Sequence, residues 1–166
     1  ITLCFTKCGT PASLPQEKSP LEEFFPMLRA LLAEDNELNR QIATEMLEVL
    51  HVKVESVENG KEAVEAVFSH PPFYYDIIFM DIQMPVMNGY DATREIRTSG
   101  MERIDELPII AMTADAFAED ITQAGLAGMN GHLAKPISID RLKETLSNCL
   151  AWKYRNQGKE TSCRES

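Results

Sequence analysis

The sequence predicts an α/β domain built on a five-stranded parallel sheet, and three observations carry that expectation. Short apolar runs alternate with stretches whose apolar residues recur every three or four positions, the pattern of repeated strand–helix units. The runs Leu28 to Ala33, Ile77 to Met80 and Leu107 to Met112 are almost wholly apolar, as strands covered on both faces must be. The other two, Lys53 to Val57 and His132 to Ala134, are charged or short and suit the edges of a sheet. Right-handed crossovers then favour the strand order 2-1-3-4-5, with five helices divided between the two faces in a three-layer sandwich. The 166 residues are enough for one such domain with a full core.

Ile1 to Thr6 alternates in a β-favouring way, and Lys7 to Pro20 has the Lys, Gly, Thr, Pro, Ser and Gln content of a linker. Leu21 to Pro26 makes a short turn before the domain. The first strand ends in Glu34-Asp35-Asn36. Asn36 is an N-cap and Glu37 suits the first turn of a helix whose inner face is Leu38, Ile42, Met46, Leu47 and Leu50. After the strand at Lys53, Asn59 with Glu62 three residues on forms a capping box. It opens a helix with Ala63, Val64, Val67 and Phe68 inward, stopped by Pro71-Pro72. The central strand Ile77 to Met80 ends in Asp81, and Pro85 with Asn88-Gly89 turns the chain into a helix from Tyr90 to Arg97, Ala92 and Ile96 inward. Leu107 to Met112 ends in Thr113, and Ala116 to Leu126 is a helix with Phe117, Ile121 and Ala124 on one side. The last strand runs into Lys135-Pro136. Ser138 caps a final helix with Leu142, Leu146, Cys149 and Leu150 inward, and from Lys153 the chain is polar and expected to fray.

A strand buried on both faces delivers its last side chain to the carboxyl edge of the sheet, where open α/β sheets bind their ligands. Asp81 alone is better explained as a cap of the next turn. Yet Glu34 and Asp35 follow strand one, Thr113 ends strand four and Lys135 follows strand five, so parallel strands bring all five residues to one edge. Three carboxylates near one point repel unless a cation joins them, and oxygen ligands alone favour a hard ion such as Mg²⁺. Lys135 can pair with a carboxylate and a phosphate oxygen, and the Thr113 hydroxyl can donate to another. Carboxylate nucleophile, metal, lysine and hydroxyl together describe phosphoryl transfer onto Asp81, giving an aspartyl phosphate.

Glu34-Asp35-Asn36, Asp81 with Pro85 and Gly89, Thr113-Ala114 and Lys135-Pro136 together resemble the response-regulator receiver domain, over about Met27 to Leu150. The resemblance implies a flavodoxin-like fold, Asp81 as phospho-acceptor, and Mg²⁺ held by Asp35, Asp81 and the backbone carbonyl of Gln83, with Glu34 assisting through water. It implies that Lys135 bridges to the phosphoryl group, that the Lys135–Pro136 bond is cis, and that the donor is a phosphohistidine of a histidine kinase. The wording Ala33-Glu34-Asp35-Asn36-Glu37-Leu38-Asn39-Arg40, Met80-Asp81-Ile82-Gln83-Met84-Pro85-Val86-Met87-Asn88-Gly89 and Gly131-His132-Leu133-Ala134-Lys135-Pro136-Ile137 looks like receivers attached to hybrid sensor histidine kinases. Ile1 to Thr6 is similar to the last strand of a kinase ATP-binding domain. The implied division is 1–26 as linker and end of that domain, 27–152 as receiver and 153–166 as polar tail, with a histidine phosphotransfer protein as onward partner. Two positions depart from the family pattern. His51 stands where a glycine often ends the first helix, which makes that turn less relaxed. His132 stands where the family has Tyr or Phe, so the usual aromatic switch is not carried over. Thr113 and His132 are the expected switch pair, read out on the face of helix four, strand five and helix five.

The formal net charge of -10 and sequence pI near 4.8 argue against nucleic-acid or anionic-membrane binding by this segment. No apolar run approaches a membrane span. Cys4, Cys8, Cys149 and Cys163 form no CxxC motif and read as reduced thiols of a cytoplasmic protein, whose parent can still be membrane-anchored. Ile1 in place of methionine suggests a piece of something longer. A phosphohydrolase of the haloacid-dehalogenase type also uses an aspartyl phosphate, but wants an aspartate where Gln83 stands. A degenerate docking receiver would have lost an acid or the lysine, and all are kept. No Walker loop or kinase nucleotide motif is found, so the chain is expected not to use ATP directly and not to turn over beyond its own phosphorylation and dephosphorylation.

Overall fold

The computed structural model describes residues 22–71, 74–102, 104–114 and 118–165. A short 3-10 turn, Glu22–Met27, leads into β1 (Arg29–Ala33), α1 (Glu37–Val49), β2 (Lys53–Val57), α2 (Gly60–Phe68), β3 (Ile77–Asp81) and α3 (Gly89–Arg97). A second 3-10 turn, Ile104–Glu106, precedes β4 (Ile109–Thr113), α4 (Ala118–Ala127), β5 (Gly131–Ala134) and α5 (Ile139–Glu165). All four strand pairings are parallel and the order is β2-β1-β3-β4-β5, the flavodoxin-like arrangement predicted from the sequence.

Alternation along the strands makes two cores. Ala30, Leu32, Ile77, Phe79, Ile110, Met112 and Leu133 face Leu47 of α1 and Leu142 and Leu146 of α5. Leu31, Ala33, Ile78, Met80, Ile109 and Ala111 face Val64 of α2, Ile96 of α3 and Ala124 of α4. The three central strands are therefore buried from both sides, while β2 leaves Lys53 and Glu55 exposed. The final helix buries Leu142, Leu146, Cys149 and Leu150 as predicted.

Three predicted faces differ in detail. In α1 the buried stripe is Ala43, Leu47 and Leu50, spaced i, i+4, i+7, so Leu38 and Ile42 point outward at 65% and 41% exposure. Phe68, at the last position of α2, and Ile121 are likewise exposed, while Ala124 is buried and Phe117 lies outside the described residues. Strand β4 begins at Ile109 rather than Leu107, because Pro108 has no N–H to give the ladder; its carbonyl still accepts from Ile78. The last helix runs past Trp152 to Glu165, with no proline to stop it. Pro72, and the linker and kinase-like readings of residues 1–20, fall outside the described residues.

The end of α1 shows how little the chain yields to sequence preference. The Val52 N–H donates to the Leu47 carbonyl at 3.0 Å and the His51 N–H to that of Glu48 at 2.9 Å, a Schellman closure with Leu47 and Val52 in one core. This closure needs a left-handed residue, and His51 supplies it at φ 67°. An L side chain there costs about 1–2 kcal/mol. Replacing the exposed His51 by glycine should raise stability by about 1 kcal/mol in urea unfolding. A loss of stability would show that the imidazole makes a compensating contact.

Candidate functional site

The register sets the strand ends level. Ala33 lies opposite Met80, Asp81 opposite Met112 and Thr113 opposite Ala134. Glu34 and Asp35 leave β1, Asp81 closes β3, Thr113 closes β4 and Lys135 follows β5, so all five share the carboxyl edge. One carboxylate oxygen from each of Glu34, Asp35 and Asp81 lies within 4.8 Å of the others. Glu34 and Asp81 are buried, at 1% and 5% exposure, and Asp35 is open to solvent.

Hydrogen bonds fix the loops that carry these groups. The Glu34 carboxylate accepts the Asn36 backbone N–H on Oε1 at 3.1 Å and meets Lys135 Nζ on Oε2 at 2.6 Å. Both its oxygens are thus engaged, whereas Asp35 stands at the mouth. Asn36 itself caps α1, its side chain accepting from Asn39 N–H. Lys135 lies 3.3 Å from Asp81 Oδ1, and its backbone N–H donates to the Thr113 carbonyl at 2.8 Å. The Lys135–Pro136 bond is cis, as the resemblance implied. After Asp81 the chain doubles back until the Gly89 N–H reaches the Ile82 carbonyl at 2.9 Å. No side chain fits at position 89, because a Cβ would collide with the Asp81 carbonyl. Gln83 lies exposed in this loop, and Val86 sits in the left-handed region at φ 69°.

Thr113 is buried at the end of β4. His132 is not gathered at this edge. It is exposed on β5 opposite Ala111 and lines a separate cleft of about 440 Å³ between β5 and α5, with Arg141 and Trp152 among its walls. Sequence reasoning missed Arg40, which donates from Nη1 to the Glu34 carbonyl at 3.1 Å and lies 3.2 Å from Glu58. Its only sequence signal was its place four residues after the cap Asn36, where a long side chain leans back over the helix start. Gly60 was missed also: its N–H holds the Met87 carbonyl at 3.0 Å.

One lysine serves two buried carboxylates, and the distances show which is short-changed. Burial opposes the Lys135 charge, but the hydrogen bond to Glu34 and the field of Asp81 outweigh it and hold its pKa above the ordinary lysine range. Asp81, the more distant partner, is pushed up from 3.8 to about 7 by burial first and then by the Glu34 charge, with Lys135 only partly offsetting them. A hard divalent cation among these oxygens fits the donor set: carboxylates only, one of them solvent-facing, with net negative charge left after Lys135 is counted.

Between pH 3.8 and about 7 the metal-free native state holds a proton on Asp81 that the unfolded chain has released. The native state then binds more protons, so stability from this group falls as pH rises through that window and levels off above it. Asp81→Asn has no such proton to lose. In metal-free urea unfolding the variant should gain on the wild type by on the order of 2 kcal/mol between pH 5 and pH 8. A difference independent of pH would remove the claim that Asp81 is under-compensated.

Residues 30–147 match the family model described as "Response regulator receiver domain". The chain is 38% identical over 130 residues to the peroxide stress-activated histidine kinase mak1 of Schizosaccharomyces pombe, a match covering 78% of this chain and 8% of that protein. It therefore spans a small part of that relative's length. Among solved structures it is similar to the receiver domain of sensor histidine kinase PA1611 from Pseudomonas aeruginosa, which carries a magnesium ion coordinated in its active-site cleft. That match has 39% identity and TM-score 0.67, and covers 75% of this chain and 98% of the other. It is also similar to the receiver domain of Ssk1 of Saccharomyces cerevisiae, solved in complex with the histidine phosphotransfer protein Ypd1, at 29% identity and TM-score 0.65 over 74% of this chain and 88% of that one.

Proposed function

This chain belongs to the response regulator receiver domain family, and from that premise we propose that it accepts a phosphoryl group on Asp81 from a phosphohistidine and passes it to a histidine phosphotransfer protein. The observation that carries the proposal is the convergence of Glu34, Asp35, Asp81 and Lys135 on one sheet edge. In the transfer an Asp81 carboxylate oxygen forms the bond to phosphorus while the phosphorus–nitrogen bond breaks, its electron pair staying on the imidazole. Mg²⁺ at this site would offset the charge of the phosphoryl oxygens and hold Asp81 ionised. Asp35, Asp81 and the Gln83 carbonyl would be its direct ligands, and Glu34, whose oxygens are already engaged by Asn36 and Lys135, would reach it through water. Lys135 pairs with one phosphoryl oxygen, and Thr113 donates to another by moving toward Asp81. That movement opens the switch, read through His132 on the α4–β5–α5 face.

A helical partner has a landing face beside this site. Leu38, Ile42 and Val49 form an exposed apolar stripe along α1, whose first turn adjoins Asp35. Such a stripe suits a phosphotransfer helix better than water. The parent is then a hybrid histidine kinase acting in the cytoplasm, with residues 27–152 as its receiver. No described helix is long and apolar enough to cross a membrane.

Two measurements test the reading. Incubated with acetyl phosphate and Mg²⁺, the wild type should gain one phosphoryl mass, and chelator or Asp81→Asn should abolish it. An undiminished adduct on the variant would sink the assignment of Asp81. By calorimetry, Asp35→Ala should weaken Mg²⁺ binding more than Glu34→Ala does, and equal losses would refute the split into direct and water-mediated ligands.

A further inference from the structure

Arg40 reaches two places at once from the first turn of α1. Its Nη1 donates to the backbone carbonyl of Glu34 at 3.1 Å and its Nη2 lies 3.2 Å from Glu58 Oε1, with only 17% of its side chain exposed. The Glu34 carbonyl belongs to the peptide that joins Glu34 to Asp35, so holding it fixes the direction in which Asp35 leaves the sheet. The Glu58 backbone is tied down, its N–H donating to Glu62 Oε2 at 2.8 Å while the Glu62 N–H donates to the Asn59 side chain that caps α2. Two residues on, the Gly60 N–H holds the Met87 carbonyl in the loop after Asp81. A Cβ on Gly60 would meet that carbonyl at 2.5 Å, so the approach of α2 to the loop leaves no slack. One guanidinium therefore joins the turn that carries Glu34 and Asp35 to the segment that braces the Asp81 loop.

We propose that Arg40 is a positioning residue for the cation site, acting through the Glu34–Asp35 peptide. The inference rests on the reading of Glu34, Asp35 and Asp81 as a Mg²⁺ site. The ion pair with Glu58 does not by itself explain the arrangement. Glu58 is 66% exposed, and a pair of that kind contributes about 0–1 kcal/mol. The directed bond to a main-chain carbonyl is the specific part, and a planar fork can make it while keeping Glu58, which a lysine cannot. Physics gives the proposal a sign. Removing a positive charge beside an acidic cluster would, by Coulomb attraction alone, tighten a bound cation. Losing a brace on a ligand's backbone would loosen it.

Mg²⁺ titration of the 166-residue chain by calorimetry separates the two. Arg40→Gln should bind Mg²⁺ about tenfold more weakly. Arg40→Lys, which keeps the charge but not the fork, should also bind more weakly. Glu58→Gln, which keeps the carbonyl contact, should change affinity by less than about twofold. Arg94→Gln, at an exposed pair on α3, serves as a control that leaves affinity unchanged. Unchanged or tighter binding in Arg40→Gln overturns the proposal, and so does a lower unfolding temperature with unaltered Mg²⁺ affinity. If Arg40→Gln does not fold, Arg40→Lys decides on the same criterion. Asp35→Ala is measured alongside. If it leaves Mg²⁺ binding intact, the cation-site reading itself fails; if it abolishes binding while the Arg40 variants do not weaken it, only the brace fails.

Discussion

The molecule is organised around a shortage of positive charge. Two carboxylates, Glu34 and Asp81, are buried at the end of the sheet, and one ammonium, that of Lys135, reaches both, at 2.6 and 3.3 Å. Burial makes each uncompensated charge expensive, and the remedy open to a protein is to hold a proton or to recruit a cation. Everything nearby serves to keep that shortage in place. The Asn36 N–H turns Glu34 toward Lys135, the Thr113 carbonyl holds the lysine's backbone, and Gly89 lets the chain fold back against the Asp81 carbonyl. A site that is uncomfortable when empty is one that responds strongly to whatever completes it.

The fold around this point is generic in its physics. Two cores sandwich the sheet, and the apolar alternation along each central strand feeds them in turn. That arrangement places Asp81 and Thr113 at the last positions of β3 and β4, and Glu34, Asp35 and Lys135 on the loops just beyond β1 and β5. The cleft beside His132 lies outside this system, on the edge strand and facing α5.

Strand order, the buried strands, the helix caps and the five residues of the carboxyl edge were legible in the sequence, because each rests on a local signal. Apolar runs declare central strands. Asn36 and Asn59 declare helix starts, and both side chains accept the expected backbone N–H. The inward faces of helices were less legible where apolar residues are in excess: Leu38 and Ile42 keep helical spacing with Met46, yet the sheet takes Ala43 in their place beside the predicted Leu47 and Leu50. Spacing tells which residues share a face but not which of two overlapping faces the sheet accepts. Arg40 and Gly60 were illegible for a different reason. Their partners, the Glu34 carbonyl and the Met87 carbonyl, are main-chain atoms, and no residue type announces a carbonyl.

Lys135 follows β5, the shortest strand and an edge of the sheet, paired only with β4. The two acids that need it arrive on β1 and β3, which are interior. Without β5 in place the two acids would lack their lysine partner. Completing the sheet is what brings Lys135 to the two acids, so their partial compensation depends on strands that are not neighbours in the sheet. The ammonium works as a clasp across β4, fastening the edge of the sheet to two of its interior strands.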